Sequence, residues 1–181
     1  MAAVHEITTA QQLLEAPDMG PCELVRGRLV MGSYMEWQHG LVASRMLLEL
    51  SSFVNQQSLG IVLAGKTGFQ IGHDPDTVRA PDVGFIRSER VPRVRTRGYF
   101  EGPPDLAVEV VSPTDRAGEL LAKVQDWLSA GCRAVWVVDP TSQTVSIYRG
   151  SRETAMLSVA DELTDDEVLP GFRLPVAELF G

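Results

Sequence analysis

The sequence predicts an α/β domain in which a mixed β-sheet is flanked by helices, in the order helix, three strands, helix, strand. Two helical stripes and the runs between them carry this reading. Val42, Met46, Leu50, Phe53 and Val54 recur on one helical face, and Leu120, Leu121, Val124, Trp127 and Leu128 recur on another. Short apolar runs bounded by Gly, Pro and Asp turn signals separate the two stripes, and the run AVWVVD follows the second. The 181 residues suit one core, so a single domain over residues 1–181 is expected.

In chain order, a short helix is expected around Thr9 to Ala16, and ELVRGRLVMGS reads as a strand pair, or a strand and turn, centred on Gly27. The long helix follows, with Gly60 suited to its C-terminal cap. Strands are expected at IVLA from Ile61, TGFQI from Thr67, VGFI from Val83 and LAVEVV from Leu106. Ser112, Pro113, Thr114 and Asp115 offer capping oxygens to the second helix, which stops near Gly131. After AVWVVD and TVSIYR, the tail from Leu157 to Phe180 is expected as a capping segment turning at Pro170 and Gly171.

Composition narrows the function. Apolar residues make up 44% and charged residues 22%, close to the globular average. The start lacks the basic and apolar regions of a signal peptide, and no run of about 18 apolar residues occurs, so a cytoplasmic protein without membrane contact is expected. Cys22 and Cys132 form no CxxC, which excludes a thiolate metal cluster. A net charge of -8 argues against a protein that coats nucleic acid nonspecifically. Basic charge is nevertheless concentrated in RSERVPRVRTR, Arg87 to Arg97. A solvated loop is one reading of this segment; a phosphate-tracking segment through Arg90, Arg93, Arg95 and Arg97 is the other, with Tyr99 and Phe100 as stacking surfaces.

Two carboxylates stand out. Glu109 interrupts an otherwise apolar strand, on the side it shares with Ala107 and Val111, so its charge points into a buried environment. A buried carboxylate needs a cation, a basic partner or a metal. Asp82 enters VGFI behind Pro81, and neighbouring strands could bring both acids to one hard divalent cation. A turn residue and an Arg-paired glutamate are the structural alternatives; the pairing of two such acids at the ends of consecutive core strands favours metal. Oxygen ligands suit Mg or Mn rather than Zn.

Lys123 sits at the edge of the second stripe, beside Leu120 and Trp127, where its ammonium could reach over the rim toward the sheet, with an ordinary surface position as the alternative. Only Lys66 and Lys123 are Lys among sixteen basic residues. GIVLAGKT, Gly60 to Thr67, satisfies the phosphate-loop pattern by letter. It is rejected because a helix precedes it, its middle is strand-like and TGFQI continues as strand.

CELVRGRLVMGS, Gln38 and His39, APDVGFI, PPDLAVEVVSP, ELLAKVQDWLSAG, AVWVVDP and LPGFRLPVAELF together resemble the PD-(D/E)XK nuclease superfamily, and within it the Uma2 family of putative restriction endonucleases. The resemblance spans nearly the whole chain. It implies a restriction-endonuclease-like core with extra N-terminal strands, Asp82 and Glu109 as Mg or Mn ligands, and Glu23 and His39 as accessory residues. The superfamily pattern places Lys two residues after the Glu, where this chain has Val111; Lys123 would restore that charge from the helix. The expected activity is hydrolysis of nucleic acid, DNA before RNA, with a homodimer or larger homo-oligomer as a possible assembly. A nonhydrolytic nucleic-acid-binding or assembly module is the alternative, favoured by Val111 and the net charge.

Overall fold

The structure, a computed structural model of the chain, describes residues 6–93, 97–113, 115–150 and 152–181. Helix α1 (Ala10–Glu15) begins with a capping box: the Thr9 hydroxyl accepts from the Gln12 N–H while the Gln12 side chain accepts from the Thr9 N–H. Strands β1 (Cys22–Val25) and β2 (Arg28–Met31) form a hairpin. Its turn, Arg26 and Gly27, is left-handed at both residues, with φ 50° and 71°, the geometry that matches strand twist in two-residue hairpins.

Helix α2 (Trp37–Gln56) buries Val42, Met46, Leu50 and Val54 along the expected stripe. Its cap is Gln57, and Ser58 is the left-handed residue after it (φ 54°). Gly60 is therefore not the cap but the first residue of β3 (Gly60–Ala64). Strands β4 (Phe69–Gly72), β5 (Thr77–Arg79), β6 (Val83–Arg87), β7 (Phe100–Glu101) and β8 (Leu106–Val110) follow. No helix succeeds β3, so the phosphate-loop pattern is indeed accidental.

Helix α3 (Ala117–Ser129) buries Val124 and Trp127, whereas Leu121 is 47% exposed and lies off the stripe. Its N-cap, Arg116, makes no side-chain capping bond, and Asp115 instead accepts from the Ser112 N–H. Thr114 lies outside the described residues. Strands β9 (Ala134–Asp139), β10 (Thr144–Arg149) and β11 (Arg152–Leu157) lead to the hairpin β12 (Glu162–Asp165) and β13 (Leu169–Pro175). That hairpin turns over residues 166–168 rather than at Pro170 and Gly171, because Asp165 already pairs with Leu169.

The main sheet has the order β11-β10-β9-β8-β6-β3, and a second sheet the order β2-β1-β5-β4-β7. Alternation along β8 sorts the core of the main sheet. Leu106, Val108 and Val110 face α2 and the β12–β13 hairpin, while Ala107 faces α3 through Val124 and Trp127. Strand β8 is parallel to β9 and antiparallel to β6, with Val83 opposite Val108. One residue further along this register, Asp82 stands opposite Glu109.

Candidate functional site

The site is built where β6 begins and β8 ends. The Asp82 N–H donates to the Val108 carbonyl (3.0 Å), just beyond the Val83–Val108 pair at which the β6–β8 ladder ends. Strand β8 runs on, and Asp82 Oδ2 takes the next N–H, that of Val110, at 2.7 Å. A side chain thus replaces a missing strand neighbour, which fixes the carboxylate in place. His39, buried in the first turn of α2, lies with Nε2 3.2 Å from the same oxygen.

Glu109 is 4% exposed. Lys123 and Trp127 are one helical turn apart on α3, so both reach the same strand residue. Lys123 Nζ donates to Oε2 at 2.8 Å and Trp127 Nε1 to Oε1 at 2.7 Å. Lys123 Nζ also donates to the Ala80 carbonyl (3.0 Å) and stands 3.4 Å from Glu23 Oε1. From β1, Glu23 accepts from Arg79 Nη1 (2.7 Å) and from the Ala80 N–H (2.8 Å). Arg79 continues to Asp126 of α3, which also receives Arg26. Alternating charges therefore lace the second sheet to α3 and end at Glu109.

These contacts set the protonation states. Burial pushes the Glu109 carboxyl up to about 7, and Asp82 adds to this while Lys123 opposes it. Burial works against the charge of Lys123, but Glu109, Glu23 and Asp82 outweigh it and hold the ammonium above its ordinary range. Glu23 is also opposed by burial, yet Lys123 and Arg79 keep it below the usual carboxylate range. His39 is raised because its bond to Asp82, with Asp115 adding charge nearby, overcomes desolvation.

The structure thus gathers Asp82, Glu109, Lys123, Glu23 and His39 at one end of the main sheet. It does not gather Arg90. Arg90 Nη1 donates to Asp105 (3.0 Å) and Nη2 to the Pro103 carbonyl (2.7 Å), at the end of β8 away from Glu109. Its guanidinium also covers the Phe100 ring at 5.7 Å, and that ring packs on Phe69, so Phe100 is not a free stacking surface. Tyr99 is half-buried over Gly68. Arg93 and Arg97 are exposed, and Arg95 lies outside the described residues.

Sequence reasoning missed Arg79 and Asp126, and took Asp115 for a helix cap, whereas it accepts from the Ser112 N–H and adds negative charge near His39. Asp126 had a signal, being one turn beyond Lys123 on the same side of α3. Arg79 had none, since its partners lie 56 and 47 residues away. Cys22 and Cys132 are both free thiols.

Residues 10–177 match the family Uma2, described as "Putative restriction endonuclease". This chain belongs to the Uma2 family. Among solved structures it is similar to a protein from Anabaena variabilis described as a putative nuclease. The TM-score is 0.82 at 22% identity, covering 95% of this chain and 97% of that one. This Uma2 chain therefore has that protein's mixed α/β fold. None of the curated proteins matches it. Among the described residues, no helix is long and apolar enough to cross a membrane.

Proposed function

We propose that this Uma2 chain is a metal-dependent nuclease that hydrolyses phosphodiester bonds of nucleic acid, DNA in preference to RNA, at Asp82, Glu109 and Lys123. The observation that carries this reading is the 2.8 Å pairing of Lys123 Nζ with Glu109, which brings a helix lysine to the strand acid where Val111 offers no cation.

The donor set fits a hard divalent cation. Among the described residues, no three His, Cys, Asp or Glu side chains form a ready-made cage. Mg and Mn need none: one or two carboxylates suffice, with water and substrate phosphate completing the shell. The Asp82 side chain is 20% exposed, and its Oδ1 makes no hydrogen bond among the described residues. The upward displacement of Glu109 reflects a buried charge that a second cation would stabilise. Asp82 and Glu109 would hold the ion. When bound, it would lower the pKa of a water molecule and polarise a phosphoryl oxygen.

The protein's own groups orient the site. Val110 N–H and His39 fix Asp82, and Trp127 fixes one oxygen of Glu109. Lys123 supplies a compact positive charge for the negative charge that develops on phosphorus oxygens.

One observation favours a nonhydrolytic binding module. Glu109, Ala80 and Glu23 can occupy all three ammonium protons of Lys123, leaving none for substrate without rearrangement. A cleavage assay separates the readings. Labelled DNA and RNA are incubated with Mg or Mn and either wild type or Asp82→Ala. Cleavage by wild type alone is expected; wild type inert on every substrate would leave the binding module.

A further inference from the structure

The turn that carries the accidental phosphate-loop pattern has a position of its own. Gly65 to Gly68 joins β3 of the main sheet to β4 of the second sheet. Ala64 pairs with Val83, so the next residue, Gly65, comes alongside Asp82. A Cβ on Gly65 would stand 3.4 Å from the Asp82 carbonyl oxygen, a distance that places the turn against the start of β6. Thr67 holds the turn closed, its hydroxyl donating to the Ala64 carbonyl at 2.8 Å and its N–H to the same oxygen at 3.4 Å.

Lys66 occupies the apex with φ 68°, in the left-handed region that a Gly or Asn enters more readily than a lysine. Among the described residues, no hydrogen bond or ion pair to the Lys66 side chain offsets that conformation, and the residue is exposed. An exposed, unpaired cation thus stands on the turn that packs against the start of β6, next to the Gly65 contact with the Asp82 backbone. The chain's other lysine, Lys123, also serves this end of the sheet through its bond to the Ala80 carbonyl, two residues before Asp82.

We propose that Lys66 binds a backbone phosphate of a nucleic-acid strand lying across the Asp82 and Glu109 end of the sheet. The substrate class rests on the nuclease reading above; the placement of the cation does not. An acidic chain repels polyanions, so a cation beside the carboxylates gives the strand a local anchor. Lys suits it because an ammonium is a point charge that meets phosphate without a fixed fork geometry.

The test is fluorescence anisotropy of the full chain with labelled duplex DNA and labelled single-stranded RNA, in chelator, across a salt series. Lys66→Gln is expected to weaken binding about fivefold to tenfold and to lower the log-log salt slope by nearly one. Lys66→Arg should restore most of the affinity. Lys66→Gly should bind as poorly as Lys66→Gln yet melt about 2 °C higher than wild type, because glycine relieves the left-handed conformation. Wild-type affinity and slope in Lys66→Gln would overturn the proposal, as would a wild-type protein that binds neither oligonucleotide. A wild type that binds but never cleaves with Mg or Mn overturns the nuclease reading alone, and loss of binding in Lys66→Gln would still support the phosphate contact.

Discussion

Trp127 Nε1 donates to Glu109 Oε1 across 2.7 Å, inside a region where both side chains are almost fully buried. The indole is therefore both a core ring, edge-on to Phe69 at 5.9 Å, and the orienting partner of a charge. Trp127→Phe keeps most of the ring and removes the donor. It is expected to cost about 1–3 kcal/mol, the scale for leaving a buried acceptor unsatisfied. Urea unfolding checks this, and a variant as stable as wild type would show that the bond contributes nothing to folding.

The second prediction follows from the protonation of Glu109. Its carboxyl is raised from an ordinary 4.5 to about 7 in the folded protein, chiefly by burial. The folded state therefore holds this proton more tightly than the unfolded chain does. The resulting stability is fully present below about pH 4.5 and is lost as pH rises toward 7, at no more than about 1.4 kcal/mol per pH unit. In chelator, Glu109→Gln should escape that loss and gain on wild type across the window. Parallel stability profiles for the two proteins would show that Lys123 fully offsets burial.

Lys123 gives a third. Lys123→Ala leaves Glu109 buried without its ammonium partner, and breaking such a pair costs about 3–5 kcal/mol. If the lysine acts on developing charge, cleavage at a temperature where the variant is folded should fall roughly 100-fold or more, with Mn affinity largely kept. Lys123→Arg retains the charge but brings a wider planar group, and should impair cleavage far more than folding. Calorimetry with Mn and single-turnover cleavage separate these effects; full activity in Lys123→Arg would count against a specific need for lysine.

The arginines should divide into two behaviours. Arg90→Gln removes the partner of buried Asp105 and should lower the melting temperature. Arg93→Gln and Arg97→Gln, both at exposed positions, should leave melting unchanged. If these two track phosphate, the double variant should bind nucleic acid more weakly, with a salt dependence flatter by nearly one unit for each phosphate no longer neutralised. Unchanged binding in that double variant would make the segment an ordinary solvated loop.

Glu109 and Lys123 were legible in the sequence because each broke a local pattern, one a strand of apolar residues and the other the rim of a helical stripe. Local patterns also revealed α2, α3 and the six-stranded sheet's central strands. They could not reveal β5 and β7, which have three and two residues and are too short to show alternation. Pro170 and Gly171 misled because β13 continues through them, with the Gly171 N–H donating to Asp166 Oδ1. Arg79 was invisible for another reason: its meaning depends on the docking of one sheet against a helix, which no window of sequence contains.

That docking has a consequence for how the protein is made. Glu23 and Arg79 belong to the part of the chain synthesised first, whereas Glu109, Lys123 and Asp126 follow; Arg26 and its partner Asp126 are separated by 100 residues. At roughly 5–20 residues per second, the early acid waits some seconds on the ribosome for its lysine. Arg79, the other cation on Glu23, is made 56 residues after it and so precedes Lys123 and the whole of α3. The Glu23–Arg79 pair thus lies within the first half of the chain, while the centre with its lysine is complete only after α3 has emerged and docked.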